Sequence, residues 1–307
     1  MVEAVSFGEP WLAAVVQAAV RPVRDDASAH DTMRRNAERI AREIDALMER
    51  TDPPPRLLVY PVLCLTSASR HLSNVSIDAV AMPVPGEPFE PILEALRRHR
   101  CYFVSSAQEA VPELPGRYFH TGFVLGPEGL VLRSPKAQAY SAPEVTALRD
   151  IYEEYRAIFG ADAVLPVAQT EIGAIGCLVE SELLVPEATR RLRRSGAEIV
   201  VHPSLERQPD EGPPYTAMRQ AVAYANGVYV LSATTAREVR SDDPVGTPWW
   251  GARSVVVGPE GRIDAAVGPR GEGVVVATID PGRLAEARER QARTTEPADV
   301  LYRGLYG

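Results

Sequence analysis

One stretch of the chain, residues 171–187, has residue types and spacing that could support nucleophilic catalysis. It begins as an apolar, β-rich run and continues after Pro186 as a helix-forming run. Enzymes with α/β folds place a catalytic nucleophile at such a sharp turn between a strand and a helix. Either Cys177 or Glu180 could occupy this turn. Cysteine would supply a thiolate nucleophile, whereas glutamate would supply a general acid or base.

A second candidate is the only lysine of the chain, Lys136, since every other one of the 33 basic residues is arginine. Arginine can replace lysine as an exposed surface charge, but it cannot do so where a tight polar pocket requires a compact ammonium group. A lysine that occurs once in an arginine-rich chain is therefore a candidate site residue before any motif is considered.

The composition argues against several classes of partner. A net charge of −8 and a pI near 5.3 disfavour binding to nucleic acid or to an anionic membrane surface. No apolar run reaches the roughly 18 residues that a membrane-spanning helix needs. Residues 1–20 lack the basic start and the cleavage site of a signal peptide. We therefore expect a cytoplasmic protein with no nucleic-acid or membrane partner.

The cysteines and histidines do not indicate a disulfide framework or a metal site. Cys64, Cys101 and Cys177 form no CxxC pair, and their number is odd, so we expect three reduced thiols. His120 and His202 are single residues without HxH or HxxxH spacing. We therefore expect neither a metal ion nor a cofactor.

Strands and helices alternate along the chain in a way that would position these residues. Residues 11–20 read as a buried strand, Asp31 offers an N-cap for a helix that continues to residue 50, and residues 56–60 read as a second strand. This β-α-β opening predicts a sheet covered by helices. Further predicted elements are a helix over 144–159, a helix over 186–194, a strand over 198–202, a helix over 217–225, and two hairpins with Gly-Pro-Glu-Gly turns at 126–129 and 258–261.

The order of elements and several short motifs resemble the nitrilase superfamily of carbon–nitrogen hydrolases over nearly the whole chain. The matching residues are Gln17, Tyr60-Pro61, Gly129, Lys136, Gly173, Gly176, Pro186-Glu187, Gly196-Ala197-Glu198, Asn226, Tyr229, Gly251, Ser254, Ile279-Asp280 and Arg288. The resemblance implies an α/β fold of the α-β-β-α sandwich type, with two mixed sheets covered by helices. It also implies one domain over residues 1–282, a C-terminal tail over 283–307 that could pack on a partner subunit, and a homodimer or larger homo-oligomer.

Members of that superfamily use a Glu-Lys-Cys triad, in which the thiolate attacks an amide or nitrile carbon and water clears the thioester. The resemblance assigns Lys136 to the lysine position. The proline-glutamate pair that carries the base reads Pro61-Val62 here, and valine cannot accept a proton.

The sharp turn between the strand and the helix of residues 171–187, called the elbow below, also departs from the family pattern. Without gaps, the family spacing places Glu180 at the nucleophile position and Glu182 at the acidic position two residues later. A register with Cys177 at the elbow needs three extra residues before Pro186 and loses the acidic residue. The resemblance also implies that His120, Glu182, His202 and Cys177 line the pocket, with His120 in place of the family's asparagine.

Three hypotheses follow from these residues. In the first, the chain is inactive as a thiol amidase or nitrilase and is a small-molecule-binding or structural pseudoenzyme with a Lys136–Glu180 ion pair. In the second, it is a repurposed enzyme in which Glu180 acts as acid or base and Lys136 binds a small carboxylate or amide-like substrate. In the third, it is an amide hydrolase that acts through Cys177.

Overall fold

The computed structural model describes residues 6–67, 75–138, 144–205, 214–238, 253–268 and 271–294. Its strands are β1 (Trp11–Val20), β2 (Leu57–Val59), β3 (Tyr102–Ala110), β4 (Tyr118–Gly126), β5 (Gly129–Pro135), β6 (Val167–Thr170), β7 (Gly173–Cys177), β8 (Ile199–Ser204), β9 (Tyr229–Glu238), β10 (Val255–Val257), β11 (Ile263–Ala266) and β12 (Gly273–Ile279). Its α-helices are α1 (Ala29–Arg50), α2 (Glu90–His99), α3 (Tyr152–Phe159), α4 (Pro186–Arg194), α5 (Tyr215–Asn226) and α6 (Pro281–Thr294).

The strands form two mixed sheets that face each other. The first sheet has the order β12-β1-β2-β3-β4-β5, and the second has the order β11-β10-β9-β8-β7-β6. Both orders mix parallel and antiparallel neighbours. The end of β1, from Ala18 to Val20, pairs in parallel with β9 and joins the two sheets.

Three apolar layers give the predicted α-β-β-α sandwich. The inner faces of both sheets share one core that includes Val15, Val104, Ile175 and Leu231. Helices α1 and α2 cover the outer face of the first sheet, and α4 and α5 cover the outer face of the second. The predicted fold is therefore confirmed. None of the described helices is long and apolar enough to cross a membrane.

Gln17 is a buried polar residue in the otherwise apolar β1, and its hydrogen bonds explain its place there. Its amide nitrogen donates to the carbonyl oxygens of Gly268 and Gly271, at 3.1 and 2.9 Å. Its amide oxygen accepts the N–H of Ser254 at 2.8 Å. All three partners belong to the segments around β10 to β12. Gln17 therefore fastens the first strand to the last strands of the chain.

Two local predictions are wrong at their boundaries. The α1 helix begins at Ala29, and its N-cap is Ser28 rather than Asp31, which lies in the first turn. The side chain of Asp25 accepts both the N–H and the hydroxyl of Ser28, each at 2.8 Å, so a turn fixes the start of the helix earlier than predicted. These hydrogen bonds hold the pKa of Asp25 below its usual value.

The predicted helix over 144–159 is only partly present. Val145 instead forms a β-bridge with Tyr118, and residues 148–151 form a 3-10 helix ahead of α3. Helical spacing places Tyr152 and Ile158 on the apolar face of the predicted helix, yet 42% of Tyr152 and 43% of Ile158 are exposed. The apolar periodicity therefore marks residues that pack in different elements rather than one continuous helix.

Helix α6 was not predicted. Leu284 and Ala287 are buried, and Arg288 donates to the carbonyl oxygens of Ala197 and Gly227, at 2.7 and 3.3 Å. Arg283 holds the start of the helix through the carboxylates of Glu260 and Asp264. The expected boundary between a domain at 1–282 and a tail at 283–307 thus falls inside a helix that packs on the body of the protein. Residues 295–307 of the expected tail lie outside the described residues.

Candidate functional site

The turn after β7 is the centre of the candidate site. The strand ends at Cys177, a 3-10 helix spans Glu180–Leu184, and α4 follows from Pro186. Glu180 adopts a left-handed backbone conformation with φ of +51°. This conformation costs roughly 1–2 kcal/mol for a residue with a side chain, so surrounding contacts must hold it. Glu180, and not Cys177, therefore stands at the sharp point of the elbow.

Lys136 meets Glu180 in a direct ion pair. The lysine Nζ lies 2.7 Å from Oε2 of Glu180, and the two side chains are only 3% and 5% exposed. The backbone of Lys136 is fixed as well, because its N–H donates to His120 O at 2.9 Å and its carbonyl accepts the N–H of Leu148 at 3.1 Å. Two charges taken out of water are tolerated only when they are well paired, and this distance provides the pairing.

Glu182 connects the two segments that carry the ion pair. Its Oε1 accepts the N–H of Ala137 at 2.7 Å, and its Oε2 accepts the N–H of Val179 at 2.9 Å. Burial raises the pKa of Glu182 to about 7, although the two N–H groups and Lys136 oppose that rise. The Glu182 carboxylate is thus a support for the elbow and for the segment after β5.

His202 holds the elbow from the second sheet. Its Nε2 lies 2.8 Å from Glu180 O, and its Nδ1 lies 2.8 Å from Ser232 Oγ. A carbonyl oxygen can only accept, so Nε2 carries the hydrogen and Nδ1 accepts from the serine hydroxyl. Burial, with a smaller contribution from Arg219, lowers the pKa of His202 to about 3, and the ring is therefore neutral near pH 7.

His120 lies near the same oxygen of the Glu180 carboxylate that Lys136 contacts. Its Nδ1 is 3.9 Å from Oε2 of Glu180, and its Nε2 is 2.8 Å from Ser106 Oγ. Burial lowers the pKa of His120 to about 4 against the opposing effect of Glu180, so this ring is also neutral near pH 7. His120 is therefore hydrogen-bonded to a serine hydroxyl and lies near the elbow carboxylate.

Cys177 and Val62 belong to the apolar core between the sheets. Cys177 is fully buried, and a Cβ added to Gly122 would meet its Sγ at 2.6 Å. Burial raises the pKa of the Cys177 thiol, which disfavours the thiolate. Val62 is 1% exposed and packs in the same cluster as Val179.

The structure thus brings together most of the predicted site residues, with different roles. Lys136, Glu180 and His120 contribute their side chains, whereas His202 and Glu182 support the backbone. Cys177 lies on the strand before the elbow. Sequence reasoning missed Ser106 and Ser232, whose signal is a serine shortly after the three apolar residues at the start of a buried strand. Within the described ranges, no group of three or more His, Cys, Asp or Glu side chains could hold a metal ion.

The sandwich and its strand-elbow-helix site define the class of protein. The chain belongs to the carbon–nitrogen hydrolase family, whose model matches residues 12–289. Omega-amidase NIT2-B of Xenopus laevis is 26% identical over 224 residues, which cover 72% of this chain and 77% of that protein. Omega-amidase NIT2 of Mus musculus is 24% identical over 212 residues, which cover 68% of this chain and 72% of that protein.

Solved structures share the fold. Nit3 of Saccharomyces cerevisiae, a member of branch 10 of the nitrilase superfamily, matches with a TM-score of 0.74 at 18% identity. The match covers 97% of this chain and 99% of Nit3. A carbon–nitrogen hydrolase from Helicobacter pylori matches with a TM-score of 0.70 at 19% identity, over 97% of this chain and 99% of that chain.

Proposed function

We propose that this chain is a carbon–nitrogen hydrolase homologue that has lost thiol-dependent hydrolysis of amides and nitriles. With respect to that reaction it is a pseudoenzyme, and it binds a small molecule or has a structural role. The observation that carries the proposal is the 2.7 Å contact between Lys136 Nζ and Glu180 Oε2 at the elbow. A carboxylate is a poor nucleophile toward an amide, because attack would pass through an anhydride. Val62 supplies no general base.

Two other functions have less support. A repurposed enzyme with Glu180 as acid or base and Lys136 on a small carboxylate would have to break the closed ion pair to bind its substrate. An amidase acting through Cys177 would need a thiolate where the side chain is fully buried and the pKa of the thiol is raised.

Ammonia release from small ω-amides and nitriles tests the proposal. We expect the purified protein to release ammonia no faster than buffer. The Val62→Glu/Glu180→Cys double variant restores the two missing residue types and is the matched control. Turnover by this variant would show that the substrate can reach the site. Turnover by the unaltered chain that disappears in Cys177→Ser would overturn the proposal in favour of the thiol amidase. Turnover that survives Cys177→Ser and disappears in Glu180→Gln would favour the repurposed enzyme.

We also propose, from the sequence, that the protein is a cytoplasmic homodimer or larger homo-oligomer that binds a small molecule. Light scattering coupled to size-exclusion chromatography measures the oligomeric state, and a monomer at micromolar concentration would contradict the assembly. Thermal shift with a library of small amides and carboxylates tests ligand binding.

A further inference from the structure

Loss of the thiol does not remove every nucleophile from this site. Ser106 on β3 and His120 on β4 are cross-strand neighbours, since Gln108 pairs with His120 and Ser106 pairs with Gly122. Ser106 Oγ lies 2.8 Å from Nε2 of His120, within the range of a hydrogen bond. The other ring nitrogen faces Oε2 of Glu180 at 3.9 Å. The Ser106 hydroxyl, the His120 imidazole and the Glu180 carboxylate thus lie in a row, with the imidazole in the middle.

The charges around the ring determine which nitrogen carries the hydrogen. The Glu180 carboxylate favours the hydrogen on Nδ1, which leaves Nε2 free to accept from the Ser106 hydroxyl. Ser106 Oγ also accepts the N–H of Leu63 at 3.0 Å. The serine oxygen therefore uses a lone pair for Leu63 and directs its hydrogen to His120. This is the order of roles found in serine hydrolases, which are recognised by geometry and not by sequence position.

We propose that Ser106, His120 and Glu180 form a serine-dependent hydrolytic site for small carboxylic esters. Ser106 Oγ forms a bond to the ester carbonyl carbon while its proton moves to Nε2 of His120. The imidazolium then gives this proton to the alcohol oxygen as the carbon–oxygen bond of the ester breaks. Water, deprotonated by His120, attacks the acyl-serine, and the proton returns to Ser106 as the carboxylic acid leaves.

The surrounding groups match the charges of these steps. The N–H of Leu63 holds Ser106 Oγ in position through a 3.0 Å hydrogen bond. The Glu180 carboxylate stabilises the imidazolium of His120, and Lys136 holds that carboxylate in place at 2.7 Å. The 3.9 Å separation between His120 and Glu180 is longer than a hydrogen bond, and such contacts are often loose before substrate binds.

Burial limits the substrate. Ser106 is 1% exposed, and the side chains of His120 and Glu180 are 6% and 5% exposed. Only a compact acyl group would reach the serine oxygen. Esters suit the site better than amides, because an alkoxide leaves more readily than an amide anion and needs less help from a neutral His120.

The experiment is labelling of the native protein with a small alkyl fluorophosphonate, followed by mass-spectrometric mapping of the adduct. We expect one phosphonyl group on Ser106 and hydrolysis of p-nitrophenyl acetate. Ser106→Ala should reduce both by roughly 1,000-fold or to background. Ser105→Ala is the matched control, because Ser105 hydrogen-bonds to Pro61 O and takes no part in the chain of three groups. It should label as the unaltered protein does.

His120→Asn separates a catalytic role from a merely structural one. We expect the labelling rate to fall roughly 100-fold or more and to lose the dependence on pH that His120 gives the parent protein. The thermal unfolding transition should remain cooperative. No adduct on the folded native protein would overturn the proposal, as would an adduct on any residue other than Ser106. Adduct mapping on the unaltered chain gives this answer even if Ser106→Ala does not fold. Cys177→Ser should label normally.

Discussion

The Nζ of Lys136 and the Oε2 of Glu180 meet at 2.7 Å across the sandwich, with Lys136 at the end of a strand of the first sheet and Glu180 at the elbow of the second. The ion pair therefore joins the two sheets as well as filling the candidate site. Removing one partner leaves a buried charge uncompensated, which typically costs about 3–5 kcal/mol.

Lys136→Met should lower the free energy of unfolding by about 3–5 kcal/mol, because the Glu180 carboxylate is left buried without its partner. Lys136→Met combined with Glu180→Gln should cost less than the sum of the two single changes, since the pair is then removed together. Urea unfolding of the four proteins measures the interaction. Additive costs would show that the two side chains do not stabilise one another.

Glu182→Gln should lower the free energy of unfolding by about 1–3 kcal/mol. An amide has a single acceptor oxygen, so the N–H of either Val179 or Ala137 loses its partner. Glu113→Gln is the control, because Glu113 lies in an exposed turn and makes no comparable contact. Equal midpoints for both variants would contradict the role of Glu182 as a support for the elbow.

Buried His120 should make the free energy of unfolding depend on pH. Its pKa is lowered to about 4 in the folded protein, whereas an unfolded histidine titrates near 6.5. The unfolded chain therefore binds this proton first as pH falls, and the contribution of neutral His120 is present above about pH 6.5 and lost toward pH 4. His120→Asn should reduce the slope of the unfolding free energy between pH 5 and 6 by about 1.2 kcal/mol per pH unit.

The same two proteins provide an internal control at higher pH. Between pH 8 and 9 the imidazole is neutral in both the folded and the unfolded state, so the slopes should coincide. A parent protein whose slope matches that of His120→Asn between pH 5 and 6 would show that His120 titrates alike in both states. Glu182 has the opposite effect on the pH dependence of stability, because its pKa is raised in the folded protein. Its contribution to the free energy of unfolding falls as pH rises toward about 7.

The three thiols should be unreactive in the native protein. Cys64, Cys101 and Cys177 are all buried, and burial raises the pKa of Cys64 and Cys101 to about 12. We expect an aromatic disulfide reagent at pH 8 to modify none of them until urea is added. Glu113→Cys should add one thiol that reacts at once. Rapid modification of Cys177 in the folded chain would contradict its place in the core.

The resemblance of short motifs to the nitrilase superfamily was enough to predict the sandwich and the position of Glu180 in the turn. These features depend on apolar periodicity and on short motifs that are local in sequence. The contact of His120 with Ser106 depends instead on the register between β3 and β4, which no local pattern specifies. Helix α6 was missed for a similar reason. Its Arg288 donates hydrogen bonds to carbonyl oxygens of residues that lie 91 and 61 positions away in the chain.

The pairing of β1 with β9 has a consequence for how the protein unfolds. Backbone pairing continues from one sheet into the other through residues 18–20, with a shift of register between Ala18 and Ala19. Loss of one sheet would leave β1 or β9 unpaired at the edge of the other, so we expect the two sheets to unfold together. The relative placement of Lys136 and Glu180 is therefore a property of the whole ladder, and damage far from the elbow should loosen the ion pair only when the entire domain unfolds.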